Sequence, residues 1–361
     1  MSNNGNGGQG AAMVSVVIPA FRCTQYIAQA VESVLQQSFS DLEIIVVNDG
    51  SPDTPLLEAA LLPFWGKIRY LKQATRGPSG ARNTGILQAR GKYLAFLDGD
   101  DYWLPDHLVR LMALFQGENA LDLAYCDCML LKGEKPFANA FSIEPQSSVV
   151  NFDSLLVENC AISTSSAVVA RESILKAGLF DESFRRCEDF DMWLRLAFGG
   201  ARMTYHSDTQ VFHRMNEAGL SADRLSMKRD RIRVYEKMAA TLPVTIEQRE
   251  TISRLVAHIK ADCYVDEMKY ALEEGNYQAA LDSGNRAKAI KSNWKLATSL
   301  FALRAAPQLF GQLYLLRARM LGDRSGKRFA DAEDHFPGTG NHEDDHDPAY
   351  SVHQSTGEKG L

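Results

Sequence analysis

The stretch KYLAFLDGDDYW, residues 92–103, decides the fold of this chain. Residues 93–97 form an apolar run that is typical of a buried strand, and Asp98, Asp100 and Asp101 follow it within four positions. In open α/β sheets, ligands bind beyond the carboxyl ends of the strands. The three carboxylates therefore lie where a site is expected, and their oxygens suit Mg²⁺ or Mn²⁺ shared with substrate phosphates.

An acidic turn that only caps the next helix is the alternative interpretation of the same residues. Asp101 or Asp106 would then accept hydrogen bonds from the first amides of that helix. The motif alone leaves both interpretations open, so the decision depends on the rest of the chain.

Composition limits the class of protein. The chain has 361 residues, 45% of them hydrophobic, which is enough for about two globular domains. Residues 329–361 contain eight acids and one lysine, a charge of −7, whereas the whole chain carries −6. The remaining chain is thus close to +1, and without a clustered basic excess in its folded part we expect no nucleic-acid partner.

Localisation and domain organisation follow from similar arguments. No apolar stretch approaches the ~18 residues of a membrane-spanning helix, and the start lacks the features of a signal peptide, so we expect a cytoplasmic protein. The six cysteines are spread too widely for a disulfide framework and are expected to be reduced. The predicted organisation is a disordered start (1–12), an α/β domain (13–221), a helical region (222–328) and a disordered acidic tail (329–361).

Strands and helices alternate through the first third of the chain. This order predicts βαβ units and a mostly parallel sheet covered by helices. The predicted strands are 14–18, 43–47, 68–71, 93–97, 122–131 and 165–170; the predicted helices are 25–37, capped by Thr24, then 56–62, 81–89, 105–115 and 172–177, the last closed by Gly178. The glycine-rich residues before the helix at 81, residues 77–80, and residues 132–148 are predicted loops.

Known phosphate-binding loops do not fit this sheet. No GxGxxG follows the first strand, and the glycine-rich segment GPSGARNTG lacks the Lys-Ser/Thr of a P-loop. What remains is a nucleotide site at the ends of the strands, formed by residues 19–21, Asp49 and residues 98–100.

A second acidic cluster opens a later helix. Glu188, Asp189 and Asp191 precede a run of apolar residues at helical spacing. Acids in a first helical turn are favoured by the macrodipole, so simple capping and a chemical role are both open for these residues.

Five segments in order resemble the inverting family 2 glycosyltransferases of the GT-A fold. They are VSVVIPAFR, LEIIVVNDGS, GPSGARNTG, YLAFLDGDDYW and GLFDESFRRCEDFDMWLRLA, and they extend over about residues 14–221. The resemblance implies a Rossmann-like, mostly parallel sheet sandwiched by helices, and transfer of a sugar from a nucleotide-diphosphate-sugar.

The resemblance also implies how the donor is held. Pro19, Ala20 and Phe21 match the opening donor-binding loop. Asp49 is similar to the acid that accepts a hydrogen bond from the nucleotide base, although Asn48 stands where the family often has a further acid. Arg82 matches the basic residue beside Asp49, and Gly99 belongs to the donor loop.

A divalent cation and a catalytic base are implied in the same way. Asp98 and Asp100 match the DxD pair, in which Asp100 would bind Mg²⁺ or Mn²⁺ directly and Asp98 would face the ribose or the water shell of the metal. In HRMNEAGLS, His213 and Asn216 are the two candidates for a histidine that can reach the metal. Asp189 resembles the base, beside Glu188, and Asp191 is the second candidate.

The expected activity is metal-dependent, inverting transfer, with a UDP-sugar favoured as donor, to a saccharide or lipid-linked acceptor, in surface polysaccharide or glycolipid synthesis. A non-catalytic sugar-nucleotide-binding or scaffold protein is the alternative, with the helical region as an interaction module. Residues 308–320 form a helix that could rest on a membrane surface, which would place the protein peripherally at the inner face of the plasma membrane, or could pack on the catalytic domain. The oligomeric state is not predicted.

Overall fold

The structure is a computed structural model that describes residues 13–117, 120–157, 162–216, 223–291 and 293–320. The predicted disordered segments, 1–12 and 329–361, lie outside this range. Nine strands form one sheet: β1 (Val14–Ala20), β2 (Leu42–Asn48), β3 (Arg69–Lys72), β4 (Tyr93–Phe96), β5 (Tyr102–Trp103), β6 (Leu123–Lys132), β7 (Lys135–Asn139), β8 (Ala167–Ala170) and β9 (Met203–Met215).

The strand order puts three strand ends side by side. It is β3-β2-β1-β4-β8-β6-β9-β5, with β7 paired to β6. The pairs joining β3, β2, β1 and β4 are parallel, and so is β6 with β9; β8 runs antiparallel to β4 and β6, and β5 to β9. Parallel pairing brings the carboxyl ends of β1, β2 and β4 to the same edge of the sheet.

Thirteen helices are described along the chain. Eight lie within or beside the sheet: α1 (Ile27–Leu35), α2 (Thr54–Leu61), α3 (Gly77–Gln88), α4 (His107–Leu114), α5 (Ala140–Ile143), α6 (Phe152–Val157), α7 (Arg171–Ala177) and α8 (Glu188–Phe198). Five follow in succession: α9 (Arg224–Thr241), α10 (Ile246–Glu273), α11 (Tyr277–Ile290), α12 (Trp294–Ala305) and α13 (Pro307–Met320). The expected α/β fold with a helical C-terminal region is confirmed.

The sheet is buried on both faces, as the side-chain alternation of β1 shows. Val14, Val16 and Ile18 point to the layer made with α1, α2 and α4, whereas Val17 points to the layer made with α3, α6 and α8. Both layers are mostly apolar, which is why the central strands read as nearly continuous hydrophobic runs.

The second layer continues into the helical region. Four residues of α9 are buried in the same core as the sheet, and so are four of α10: Ile232, Val234, Tyr235 and Met238, then Ile252, Leu255, Ile259 and Cys263. A separate core begins at Met268 and joins the end of α10 with α11 and α12. The core therefore runs across position 221, where the composition of the sequence changes.

Two sequence expectations near the site were wrong. Helix α1 begins at Ile27, not Gln25, because the Thr24 hydroxyl donates to Asp53 (2.6 Å) and caps nothing. The glycine-rich residues 77–80 are not a loop, because α3 begins at Gly77, four residues before the predicted start, and includes all of GPSGARNTG. Its glycines permit close packing: a Cβ at Gly85 would lie 2.3 Å from a methyl carbon of Val17 in β1.

Residues 132–148 were also predicted as loop, yet they contain β7 and α5. Strand β9 was not predicted as a thirteen-residue element, because polar residues dominate its first half. Gly178 closes α7 in the left-handed region, with φ +92°, as expected. Within the described ranges, no helix has both the length and the apolar character that a bilayer span requires.

Candidate active site

The residues expected to bind the donor lie together at the ends of β1, β2 and β4. Pro19 and Ala20 end β1, Asp49 follows β2, and the acidic loop that begins at Asp98 follows β4. The loop passes very close to β1: a Cβ at Gly99 would lie 2.7 Å from the Sγ of Cys23 and 3.0 Å from the Pro19 carbonyl oxygen. Only glycine fits at this position, so the sequence DGDD has a steric reason for its second residue.

Asp49 organises the loop that precedes α3. Its Oδ1 accepts hydrogen bonds from the Gln73 side chain (2.7 Å) and the Arg76 amide (2.8 Å), and its Oδ2 accepts one from the Gly77 amide (2.8 Å). A carboxylate offers about four lone-pair directions, so about one, on Oδ2, remains for a ligand. Asp49 is buried.

Arg82 joins the two acidic clusters. One guanidinium nitrogen donates to Glu188 (2.6 Å), and the other donates to Asp98 (2.6 Å) and Thr164 (3.2 Å). The resemblance placed Arg82 beside Asp49; the structure places its charge between the loop after β4 and the start of α8. Sequence spacing could not show this link, because 106 positions separate Arg82 from Glu188.

The charges of this group perturb one another. Burial lowers the pKa of Arg82, but the negative charges of Asp98 and Glu188 outweigh burial, and the net pKa is raised. Burial raises the pKa of Glu188 above its ordinary value although Arg82 opposes the shift. The guanidinium is 3% exposed, so it is a fixed cation held at the bottom of the site.

Asp101 anchors the acidic loop from below. Its carboxylate is fully buried and accepts hydrogen bonds from the Ser165 hydroxyl (2.6 Å), the His213 ring (2.8 Å) and the Arg214 amide (2.9 Å). Burial lowers the pKa of His213, but the negative charge of Asp101 outweighs burial and raises the pKa to about 9. His213 therefore enters the site as the partner of Asp101, whereas Asn216 is exposed just after β9.

Arg214 holds the same loop from the other side, and the sequence analysis missed it. Its guanidinium donates to the Asp100 carbonyl (2.5 Å) and lies over the rings of Tyr26 (4.4 Å) and Tyr102 (5.0 Å). It also pairs with Glu134 (3.1 Å). Its position directly after His213, a candidate metal ligand, was the sequence feature that could have indicated a role in the site.

Asp100 differs from Asp98 and Asp101 because its carboxylate makes no ion pair with another described residue. Burial, reinforced by Asp101 and Asp98, raises the pKa of its carboxyl group. No group of three His, Cys, Asp or Glu residues converges into a metal site among the described residues. The donor set is thus one or two carboxylates, which fits Mg²⁺ or Mn²⁺ completed by water and substrate phosphates rather than a protein cage.

Asp189 is the second residue of α8 and is half-buried. Burial raises its pKa, and the positive charge of Arg82 opposes the shift. Cys187, the residue directly before α8, has φ +58°, a left-handed conformation that is unusual for a residue with a side chain. Such strain is found at functional sites, and here it sets the direction in which the helix starts.

Asp191 faces a different environment. It is fully buried, and its carboxylate pairs with Arg195 (2.7 Å) and Lys237 (2.5 Å). Both of its oxygens are therefore engaged in ion pairs, one within α8 to Arg195 and one to Lys237 of α9. Asp189 makes no ion pair in the described residues.

Comparison of the folds defines the class of protein. The chain superimposes on a crystal structure of TarS 1–349 from S. aureus in complex with UDP-GlcNAc, with a TM-score of 0.56 and 16% identity, covering 90% of this chain and 99% of that one. For the mannosyltransferase PcManGT from Pyrobaculum calidifontis, in complex with GDP-Man and Mn²⁺, the TM-score is 0.53 and the identity 17%, covering 87% and 86%. These identities establish the fold alone, which is GT-A.

Comparison of the sequences then gives the family. Residues 15–138 match glycosyl transferase family 2, so this segment of the chain has the sequence of that family. An uncharacterised glycosyltransferase of Rickettsia prowazekii is 30% identical over 188 residues, which are 51% of this chain and 58% of the relative.

WfaP of Escherichia coli, a UDP-Glc:alpha-D-GlcNAc-diphosphoundecaprenol beta-1,3-glucosyltransferase, is 26% identical over 223 residues, 59% of this chain and 81% of the relative. The match covers a smaller share of other relatives: the chain spans 27% of the length of the Rickettsia bellii glycosyltransferase.

Proposed function

We propose that this protein transfers a sugar from a nucleotide-diphosphate-sugar to an acceptor hydroxyl with inversion of configuration. The observation that carries the proposal is the Arg82 bridge, because it couples Asp98 in the donor loop to Glu188, the neighbour of Asp189. One fixed cation thus connects the two acidic clusters that the two halves of the reaction require.

In this proposal the donor lies across the ends of β1, β2 and β4. Pro19, Ala20 and Phe21 line the base side, where Asp49 shapes the loop and offers its remaining lone pair. Asp98 and Gly99 approach the ribose and diphosphate. The complexes of TarS with UDP-GlcNAc and of PcManGT with GDP-Man support a nucleotide-sugar as ligand, and we favour a UDP-sugar.

Asp100, with Asp98 towards the water shell, would hold Mg²⁺ or Mn²⁺. When bound, the divalent cation neutralises charge on the diphosphate as it leaves. The protein holds the loop for this role through Arg214, whose guanidinium donates to the Asp100 carbonyl and whose amide donates to the Asp101 carboxylate. His213 is assigned to this support through its bond to Asp101, and Asn216 receives no role.

Asp189 is the proposed base. The acceptor oxygen forms a bond to the anomeric carbon while the bond from that carbon to the diphosphate oxygen breaks, and the acceptor proton passes to the Asp189 carboxylate. A raised pKa suits this task, because an ordinary aspartate is a weak base. Glu188 stays with Arg82 and orients the helix start, and Asp191 is assigned to structure.

The acceptor is proposed to be a saccharide or a lipid-linked sugar, in the assembly of a surface polysaccharide or glycolipid. The printed activity of WfaP, on a diphosphoundecaprenol-linked sugar, supports the lipid-linked choice. We propose a cytoplasmic location at the inner face of the plasma membrane, where such an acceptor and a sugar nucleotide meet.

A panel of UDP-, GDP- and dTDP-sugars, each with and without Mn²⁺, tests the proposal by thermal shift. We expect one nucleotide class to stabilise the protein, and its effect to require Mn²⁺. Absence of stabilisation by every donor at millimolar concentration would contradict the proposed function.

A further inference from the structure

Helix α13 has two apolar stripes, and only one of them is packed. Phe310, Gly311 and Tyr314 face inward; a Cβ on Gly311 would lie 2.5 Å from the ring of Tyr277. The opposite stripe is exposed and repeats every three or four residues: Leu309 (57%), Leu313 (57%), Leu316 (54%) and Met320 (80%). One packed apolar stripe is enough to hold a surface helix against its domain, so the second stripe does not contribute to the stability of this fold.

The neighbouring helix, α12, also exposes large apolar side chains. Trp294 and Phe301 of α12 lie two turns apart on one face and are 73% and 76% exposed, while Leu296, Leu300 and Leu303 fill the core on the other face. Large side chains with this exposure, next to a second apolar stripe, mark an interaction surface.

The charge of this region is entirely of one sign. Residues 283–322 contain seven Lys and Arg residues and no Asp or Glu, in a chain whose net charge is −6. Lys288, Lys291 and Lys295, which lie within or between α11 and α12, are exposed. An acid-free basic segment of forty residues attracts an anionic surface more strongly than a neutral one.

Three occupants have to be compared. A second copy of the chain would bring seven positive charges against seven, which opposes pairing through this surface. The acidic residues 331–358, with eight acids and no Lys or Arg, match the charge but offer few large apolar side chains. An anionic lipid surface supplies both negative headgroups and an apolar layer for the exposed stripes.

We infer that α12 and α13, with the lysines between α11 and α12, form a docking face for anionic lipid. The apolar side chains of Trp294, Phe301 and the α13 stripe enter the headgroup boundary, and the basic residues bind the lipid phosphates. This inference goes beyond the proposed function and does not need it, because lipid binding can be measured without sugar transfer.

Vesicle flotation of the full chain tests the apolar contribution. The wild type should float with phosphatidylglycerol-containing vesicles and stay behind with pure phosphatidylcholine. The variant L309Q/L313Q/L316Q/M320Q should lose roughly tenfold or more of this binding, since each glutamine keeps the helix and removes apolar contact. The matched control L56Q/L62Q/L87Q/I246Q, also exposed but outside the surface, should bind as wild type.

The basic contribution has its own pair of variants. K288Q/K291Q/K295Q should weaken binding by about fivefold for each lysine that reaches the headgroups. The control K67Q/K132Q/K135Q removes the same charge elsewhere and should have little effect. Raising the salt concentration should release the wild type and should change the triple lysine variant less.

Three results would overturn the inference. Equal binding to neutral and anionic vesicles, or none to either, removes the lipid as partner. Binding that appears only after deletion of residues 329–361 makes the acidic tail the occupant of the surface. A concentration-dependent dimer that the α13 variant abolishes, with no flotation, makes a second copy the occupant. Retained nucleotide affinity in each variant separates these results from a failure of the proposed function.

Discussion

Asp189 and Asp191 lie two residues apart and are predicted to respond oppositely to the same substitution. Asp189→Asn should lower kcat by about 10²–10⁴-fold while nucleotide affinity stays unchanged, because the base is lost and the donor contacts are not. Asp191→Asn should instead reduce stability by about 3–5 kcal/mol, since Lys237 and Arg195 would lose a buried partner. Kinetics with matched urea denaturation of both variants measure this contrast; unchanged turnover in Asp189→Asn excludes it as the base.

The pH dependence of transfer should report the raised pKa of Asp189. The base works in its ionised form, so kcat should fall as the pH drops, with a midpoint above the ordinary 3.8. Arg82 holds this pKa down, and Arg82→Met should therefore move the midpoint to higher pH, whereas Arg82→Lys, which keeps the charge, should move it less. A pH–kcat profile of the three proteins checks the order, and an identical midpoint in all of them would contradict the assignment.

The same shift has a consequence for stability. An acid whose pKa is raised in the folded state binds its proton more tightly there, so its contribution to stability is present below about pH 3.8 and is lost as the pH rises through the folded value. At neutral pH the ionised Asp189 therefore opposes folding. A functional group that costs stability is expected where chemistry, not packing, selects the residue.

Among the elements, α3 depends most directly on a small residue. A Cβ at Gly85 would meet the Val17 side chain at 2.3 Å, so Gly85→Ala should cost about 1–3 kcal/mol by overpacking α3 against β1. Because α3 carries Arg82, donor affinity should fall as well. Gly117→Ala is the matched control, since its Cβ would find only the Leu114 carbonyl oxygen at 3.7 Å. Thermal unfolding of both variants tests the difference, and equal melting temperatures would show that the helix can shift.

The elements also show what the sequence could and could not predict. Strands β1, β2 and β4 were predictable because each is a short apolar run, and polar site residues, Asp49 and Asp98, follow the second and third of them. The start of α3 was predicted four residues too late, because its glycines, read locally, indicate a loop. Gly85 instead allows close packing against Val17, which is 68 residues earlier in the chain. The support of the acidic loop by Ser165 and Arg214 was not predictable, since it depends on strand order rather than on any motif.

For the whole molecule, the domain boundary is set by where one hydrophobic core ends and the next begins, not by where the composition of the sequence changes. The sequence places a boundary at 221, yet α9 and the first part of α10 complete the core of the sheet, and Tyr235 donates a hydrogen bond to the Leu156 carbonyl (2.8 Å). The second core begins only at Met268. We therefore propose that the folding unit of the catalytic domain extends to the end of α10.

Two truncated chains distinguish these boundaries. A chain ending at residue 221 should not fold, because it loses Ile232, Val234, Tyr235 and Met238 from the core, and removing even one such side chain costs about 2–5 kcal/mol. A chain ending at Gly275, which follows α10 with φ +71°, keeps all four and should melt cooperatively and bind the nucleotide as the full chain does. It should also fail to float with anionic vesicles, since α12 and α13 are gone. Circular dichroism, nucleotide titration and flotation on both chains decide the matter. Nucleotide binding by the chain ending at 221 would restore the boundary that composition suggests, and an unfolded chain ending at 275 would make α11–α13 part of the catalytic fold.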